Sequence, residues 1–120
     1  MRAKLLLAFV LLSTAISANA MSAQTFYAKA LVLQRQGYMA IFSSDYQVLK
    51  GEIEVAAKSV KAENDAAKAN GKALYCPPAK VTIDADKVIR EFGAIPVSRR
   101  KQITVRAAWR EIAIRKYPCR

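Results

Sequence analysis

The chain has 120 residues and carries 20 Lys and Arg against 9 Asp and Glu, a formal net charge of +11. Because it has no His and only two Cys, it cannot build a Ser-His-Asp triad, a Cys-His pair, a histidine metal site or a four-ligand zinc site of His and Cys. Most familiar hydrolase and metalloenzyme classes are thereby excluded, and we predict a non-enzymatic protein without cofactor or metal.

Residues 1–20 have the three-part pattern of a secretory signal peptide. Two cations, Arg2 and Lys4, precede the apolar residues 5–12, and small and polar residues lead up to Ala20. The apolar run is shorter than the ~20 residues of a membrane-spanning helix. We therefore predict cleavage after Ala20 and export to a bacterial periplasm. The mature part, residues 21–120, is long enough for one small domain, and without Arg2 and Lys4 its net charge is +9.

The first predicted helix covers residues 22–36, with Ser22 as its N-cap and Gly37 in the left-handed conformation just past its end. Apolar residues at spacings of four and three form its inward stripe. The segment that follows is apolar, and we expect it to be partly buried between the first two helices; if exposed, it is a second candidate contact surface. The stripe consists of Phe26, Ala30 and Leu33, and the segment contains Tyr38, Met39, Ile41 and Phe42.

A longer second helix is predicted to begin with a capping box, in which Ser44 and Gln47 each bond a backbone N–H of the first turn. Asn70 and Gly71 end it. Residues 61–70 are rich in Ala and Lys and have little to bury, so we expect them to project or fray. The inward stripe consists of Tyr46, Leu49, Ile53, Ala56, Val60 and Ala67.

Prolines and caps divide the C-terminal half. Thr82 or Asp84 is predicted to cap a short helix that ends at Gly93. Pro96 is predicted to start a single turn over residues 97–102. Thr104 is predicted to cap a last helix that ends before Pro118. Residues 79–83 could instead form a strand, but it would have no partner. The fold class is therefore all-α, a small single-domain bundle of about four helices, with residues 21–74 as an N-terminal helix pair and residues 75–120 as a C-terminal part.

The two cysteines, Cys76 and Cys119, lie 43 positions apart, each beside a proline. In an exported protein such a pair is typically a structural disulfide. The alternative, a redox or nucleophilic thiol, is less favoured because neither residue has a second Cys two positions on. We predict a disulfide that closes residues 75–120.

A lone S-x-x-K pattern, Ser98 with Lys101, matches one motif of the penicillin-recognising acylases. The chain lacks the S-D-N and K-T-G partners, and a helical domain of this size lacks the sheet that carries such a site. We assign the match to chance and keep a small hydrolase only as a remote alternative.

Positive charge is concentrated near the C-terminus: residues 99–120 hold eight Lys and Arg against Glu111 alone. One interpretation is a solvated face, with cations at a helix C-terminus. The other is an electrostatic patch for an acidic partner or for anionic lipid headgroups. Nucleic acid is disfavoured because an exported protein rarely meets it. The predicted partner-binding residues are Arg99, Arg100, Arg106 and Arg110.

Short motifs occur in order along the C-terminal half: Tyr75-Cys76-Pro77-Pro78, Val81-Thr82, Ile95-Pro96, the helix from Val105, and Tyr117-Pro118-Cys119. In these about 45 residues the chain resembles the Rap/Tai family of immunity proteins. The resemblance implies an exported, mainly helical and disulfide-bonded protein that binds and blocks toxic effectors delivered by type VI secretion, among them peptidoglycan-cutting amidases. It carries over no catalytic residue, and as positions only Cys76 and Cys119.

Two hypotheses follow. In the first, the protein neutralises a secreted effector with an acidic surface by occupying the mouth of its active site. In the second, it is a periplasmic envelope or stress protein that binds anionic lipid or glycan through its basic C-terminal region.

Overall fold

The computed structural model describes residues 20–120, so the predicted signal peptide lies outside the described residues apart from Ala20. The prediction of an all-α fold is confirmed: in this range the chain forms helices, and the only β-type pairing is an isolated bridge between Ser22 and Thr104. The elements are α1 (Ala23–Gln36), a 3₁₀ segment (Gly37–Phe42), α2 (Ser44–Ala69), α3 (Ala85–Gly93), α4 (Val97–Arg100) and α5 (Val105–Lys116).

The predicted N-caps Ser22 and Thr104 are confirmed, and of the two alternatives for α3, Thr82 and Asp84, the cap is Asp84. The side-chain oxygens of Ser22, Asp84 and Thr104 accept hydrogen bonds from backbone N–H groups in the first turns of α1, α3 and α5. Each pairs donors that a helix start leaves unbonded. Gly37 follows α1 with φ of 58° and ψ of −134°, so its φ is positive as predicted, but its ψ lies outside the left-handed helical region.

The capping box predicted for α2 is wrong. The N-cap is Ser43, whose backbone is extended and whose hydroxyl accepts a hydrogen bond from the Asp45 N–H at 3.3 Å. Ser44 is already the first residue of the helix, so its side chain does not cap, and Gln47 does not form the second half of a box. Two adjacent serines offered two registers, and the chain uses the earlier one.

The main core lies where α1, α2, α3 and α5 meet. Phe26 of α1 and Phe92 of α3 stack with ring centroids 4.8 Å apart. The starts of α1 and α5 are also joined through the backbone, because the Ala23 N–H donates to Ile103 O at 2.9 Å and the Val105 N–H donates to Met21 O at 3.2 Å. These two hydrogen bonds fix α5 against α1 at their N-terminal ends.

A second, smaller cluster joins the C-terminal part of α2 to α5. Val60, Tyr75 and Ala113 are buried there, with Trp109 packed between this cluster and the main core. The buried Asn64 side chain accepts hydrogen bonds from the N–H groups of Leu74 and Tyr75 and donates to Tyr75 O at 3.0 Å. The chain after α2 is thus fixed back onto α2, so the expectation that residues 61–70 have little to bury is wrong at Asn64.

The predicted disulfide between Cys76 and Cys119 is present, with a Cα–Cα distance of 4.9 Å. Beside it, the Cys76 N–H donates to Tyr117 O at 2.8 Å. We call the region formed by the C-terminal part of α2, residues 74–76 and the end of the chain from Ile112 the closed end. A covalent bond, a backbone hydrogen bond and the buried amide of Asn64 hold it together.

Candidate functional site

The arginines predicted to bind a partner do not form a free positive patch. On α5, Arg106 donates to Ser59 Oγ at 2.7 Å and to Glu63 Oε2 at 2.9 Å, while Arg110 donates to Glu63 Oε1 at 2.9 Å. One carboxylate of α2 therefore holds two arginines of α5. The hydrogen bond from Arg110 lowers the pKa of the Glu63 carboxyl below its ordinary value, and the charges of both arginines act in the same direction.

We call the partly or fully exposed cations of residues 99–116 the basic face. Besides Glu63, two more carboxylates form ion pairs with cations of this face. Arg99 forms an ion pair with Glu111. Glu91 of α3 accepts from Arg115 at 2.6 Å and lies 3.9 Å from the Lys116 ammonium. Glu111 is the one carboxylate within residues 99–116 of the sequence, but the fold adds Glu63 and Glu91 to the same surface. The basic face therefore carries less net positive charge than the sequence suggested.

Arg100 is not on this face, because its residue is only 8% exposed. Its guanidinium lies 4.3 Å from the centroid of the Tyr27 ring, donates to Gln24 Oε1 at 2.7 Å, and donates to the carbonyl oxygens of Gly93 and Ile95. Arg100 thereby supplies hydrogen-bond donors to backbone carbonyls at the end of α3, which have no donor within the helix. Arg100 therefore joins α1, α3 and α4, and we leave it out of the contact surface.

The strongest candidate surface is the 3₁₀ segment. The expectation that its apolar side chains are partly buried is wrong: only Ala40 is buried, and Tyr38 and Phe42 are 96% and 78% exposed. In a 3₁₀ helix, residues three apart lie above one another. Tyr38 and Ile41 therefore lie on one side of the segment, and Met39 and Phe42 share another. We call these four residues the apolar ridge.

An apolar groove lies beside the ridge. It is a cavity of about 510 Å³ with α1 at its floor and with α2 and α3, which both pack on α1, at its sides. Ile41 belongs both to the ridge and to the groove, so the two surfaces are continuous. The apolar lining of the groove includes Phe26, Ala30, Leu33, Leu49, Ile53 and Val88. Together the ridge and the groove form what we call the open end.

Charged side chains also line the groove. Glu54 and Lys50 belong to α2, and Asp86 belongs to α3, so the two carboxylates come from opposite walls. Asp86 accepts a hydrogen bond from the Gln34 amide at 3.3 Å. Within residues 20–120 neither carboxylate lies within ion-pair distance of a cation. No sequence pattern predicts this set, because its members come from helices that are distant along the chain.

The described part of the chain offers little chemistry. In residues 20–120 no group of three His, Cys, Asp or Glu could hold a metal ion. Ser98 and Lys101 lie exposed on α4 and just after it. Both cysteines are in the disulfide. What the open end offers is apolar contact area with a few charges at its edge, which is the composition of a binding surface.

In comparisons with protein-family models, with curated proteins and with solved structures, nothing matches this chain. Among the helices of residues 20–120, none combines the length and the apolar character needed to cross a membrane.

Proposed function

We propose that this protein is an exported, non-enzymatic binding protein that neutralises a secreted effector, in the manner of the immunity proteins that its C-terminal half resembles. The apolar ridge carries the proposal. Monomeric proteins rarely expose neighbouring large apolar side chains without a use for them. Tyr, Phe and Met are also enriched at the centres of protein interfaces.

Action outside the cytosol is supported by two independent features. Disulfides such as Cys76–Cys119 are common in proteins of oxidising compartments and rare in the cytosol. The leader pattern of residues 1–20 directs a chain to such a compartment. The bacterial periplasm contains both the oxidising conditions and the peptidoglycan that amidase effectors attack, so it is the compartment we propose.

The paired state of the basic face favours the ridge over α5 as the main contact. Glu63, Glu91 and Glu111 each already bind one or two of its cations. A partner would have to compete with these internal ion pairs. The same pairing lowers the charge that binding to anionic lipid or glycan would need, so the envelope hypothesis has less support than effector binding.

The proposal predicts that a secreted effector is encoded next to this chain's gene, and that protein is the partner to be used in the test. The two full-length proteins are produced in the periplasm of a host, purified, and mixed in a calorimeter. We expect a complex with a dissociation constant in about the nanomolar range, which is typical of tight interfaces of standard size. Growth of cells that express the effector should be restored when this chain is co-expressed.

A matched pair of variants locates the contact. Phe42→Ser removes an apolar side chain from the ridge, and Val55→Ser removes one that is 69% exposed on α2 and does not line the groove. We expect Phe42→Ser to weaken binding by about 100-fold, as loss of a central aromatic contact does, and Val55→Ser to leave it unchanged. An adjacent effector that neither binds nor is neutralised contradicts the proposal.

A further inference from the structure

We propose that the groove at the open end receives a short apolar helix of the partner that carries Lys or Arg beside its apolar stripe. The inference rests on the proposed function and adds to it the chemistry of the partner segment. The volume of the groove, its charges and its continuity with the ridge each point to this occupant.

The volume of the groove is large enough for several side chains rather than for a single one. A cavity of about 150 Å³ lined by Leu, Ile and Phe holds one benzene molecule. The groove of about 510 Å³ therefore has room for about three groups of that size. A helix presents three apolar side chains in one row when they are spaced at i, i+4 and i+7, which is the usual pattern for a helix bound in a groove.

The walls of the groove fit such a helix as well. α2 and α3 both rest on α1 but stand apart above it, so Phe26, Ala30 and Leu33 line the floor between them. Because these floor side chains are at most 9% exposed, an added helix would rest on the rims formed by α2 and α3 and insert its apolar side chains between them. Because Ile41 connects the groove to the ridge, the same partner could contact Tyr38 and Phe42 beyond the end of that helix.

The charged residues of the groove indicate which polar side chains the bound helix should carry. The mature chain has a net charge of +9, yet the groove lining carries the two carboxylates Glu54 and Asp86 against the single ammonium of Lys50. Most other carboxylates in residues 20–120 are already used in ion pairs: Asp45, Glu63, Asp65, Glu91 and Glu111. The groove is thus a locally acidic site on a basic protein, and it favours a basic occupant.

Two synthetic peptides of about 14 residues test the inference, each held helical by a side-chain bridge because free helices of this length are marginal in water. Both carry Leu at i, i+4 and i+7; one has Lys beside the stripe and the other has Glu. Fluorescence anisotropy at about 0.15 M salt gives both dissociation constants, with long-range attraction screened. The positive net charge of the protein attracts the Glu peptide to the surface outside the groove. A preference for the Lys peptide therefore indicates binding in the groove.

We expect the Lys peptide to bind about fivefold more tightly than the Glu peptide, as two partly exposed charge pairs would give. The double variant Glu54→Gln with Asp86→Asn should abolish that preference without altering side-chain size. The control Glu52→Gln with Asp65→Asn removes the same charge outside the groove and should keep the preference. Circular dichroism checks that both variants fold.

Three outcomes overturn the inference. One is a preference for the Glu peptide, and another is equal binding of both peptides to the unaltered protein. The third is binding to vesicles of phosphatidylcholine and phosphatidylglycerol that requires Phe42, with no binding of either peptide, because the open end would then be a lipid-contacting surface. If the adjacent effector still binds through Phe42 while the peptides show no preference, the groove inference fails and the proposed function stands.

Discussion

The two ends of this small bundle are built in opposite ways. At the closed end, a disulfide, a backbone hydrogen bond from Cys76 and the buried amide of Asn64 hold loop and helix together. At the open end, Tyr38 and Phe42 extend into solvent beside a groove that no part of residues 20–120 fills. Stability concentrated at one end leaves apolar surface at the other end free for a partner. If this division is correct, variants at the two ends should affect different measurements.

Removing the disulfide should have the largest effect on stability. The double variant Cys76→Ser with Cys119→Ser opens a loop of 43 residues, and the loop-entropy relation gives a loss of about 4 kcal/mol. Domains of this size have a total free energy of unfolding of about 5–15 kcal/mol. Chemical denaturation checks the loss. At temperatures where the variant stays folded, affinity at the open end should be unchanged, and a parallel loss of affinity would contradict the division.

A smaller loss of stability is expected when Arg100 is replaced. Arg100→Lys keeps the charge but cannot reach the carbonyls of Gly93 and Ile95, Gln24 and the Tyr27 ring together. We expect a loss of about 2 kcal/mol, since a buried acceptor is left unpaired. The neighbouring Arg99→Lys is the control: it is exposed, can still pair with Glu111, and should leave the denaturation midpoint unchanged. Equal effects at both positions would show that Arg100 is a surface residue.

The smallest effect concerns pH and Glu63. Because Arg110 lowers its pKa in the folded state, the ion pair stabilises the fold above Glu63's ordinary value of 4.5, and this contribution is lost as the pH falls through the lowered folded-state pKa. Arg110→Gln should raise the Glu63 pKa toward 4.5 and lower stability at neutral pH by no more than about 1 kcal/mol. Carboxyl carbon chemical shifts measure the pKa. Arg90→Gln, which removes a cation that does not contact Glu63, should leave it in place.

Much of the local structure could be predicted from the sequence, because helix caps and stops depend on residues a few positions apart. Ser22, Asp84 and Thr104 cap as expected, and Gly37 has the expected positive φ. The disulfide followed from there being only two cysteines in a chain whose first 20 residues have the pattern of an export signal.

The candidate site could not be predicted in the same way, because it depends on how distant helices meet. The run of cations at residues 99–101 looks like one surface, yet only the fold turns Arg100 inward. Glu63 reaches Arg106 and Arg110 from 43 and 47 residues away. Apolar composition predicted partial burial of the 3₁₀ segment, but the segment contributes only Ala40 to the core, and its four large apolar side chains are left exposed.

Hydrogen–deuterium exchange of the full chain, with and without the effector that we propose as its partner, tests most directly where that effector would bind. We predict that amides of residues 37–42 and 83–89, at the ridge and the groove, exchange more slowly in the complex, while those on the exposed face of α5 do not change. Slowing confined to α5, with the ridge and the groove unaffected, would contradict the account and return the contact to the basic face.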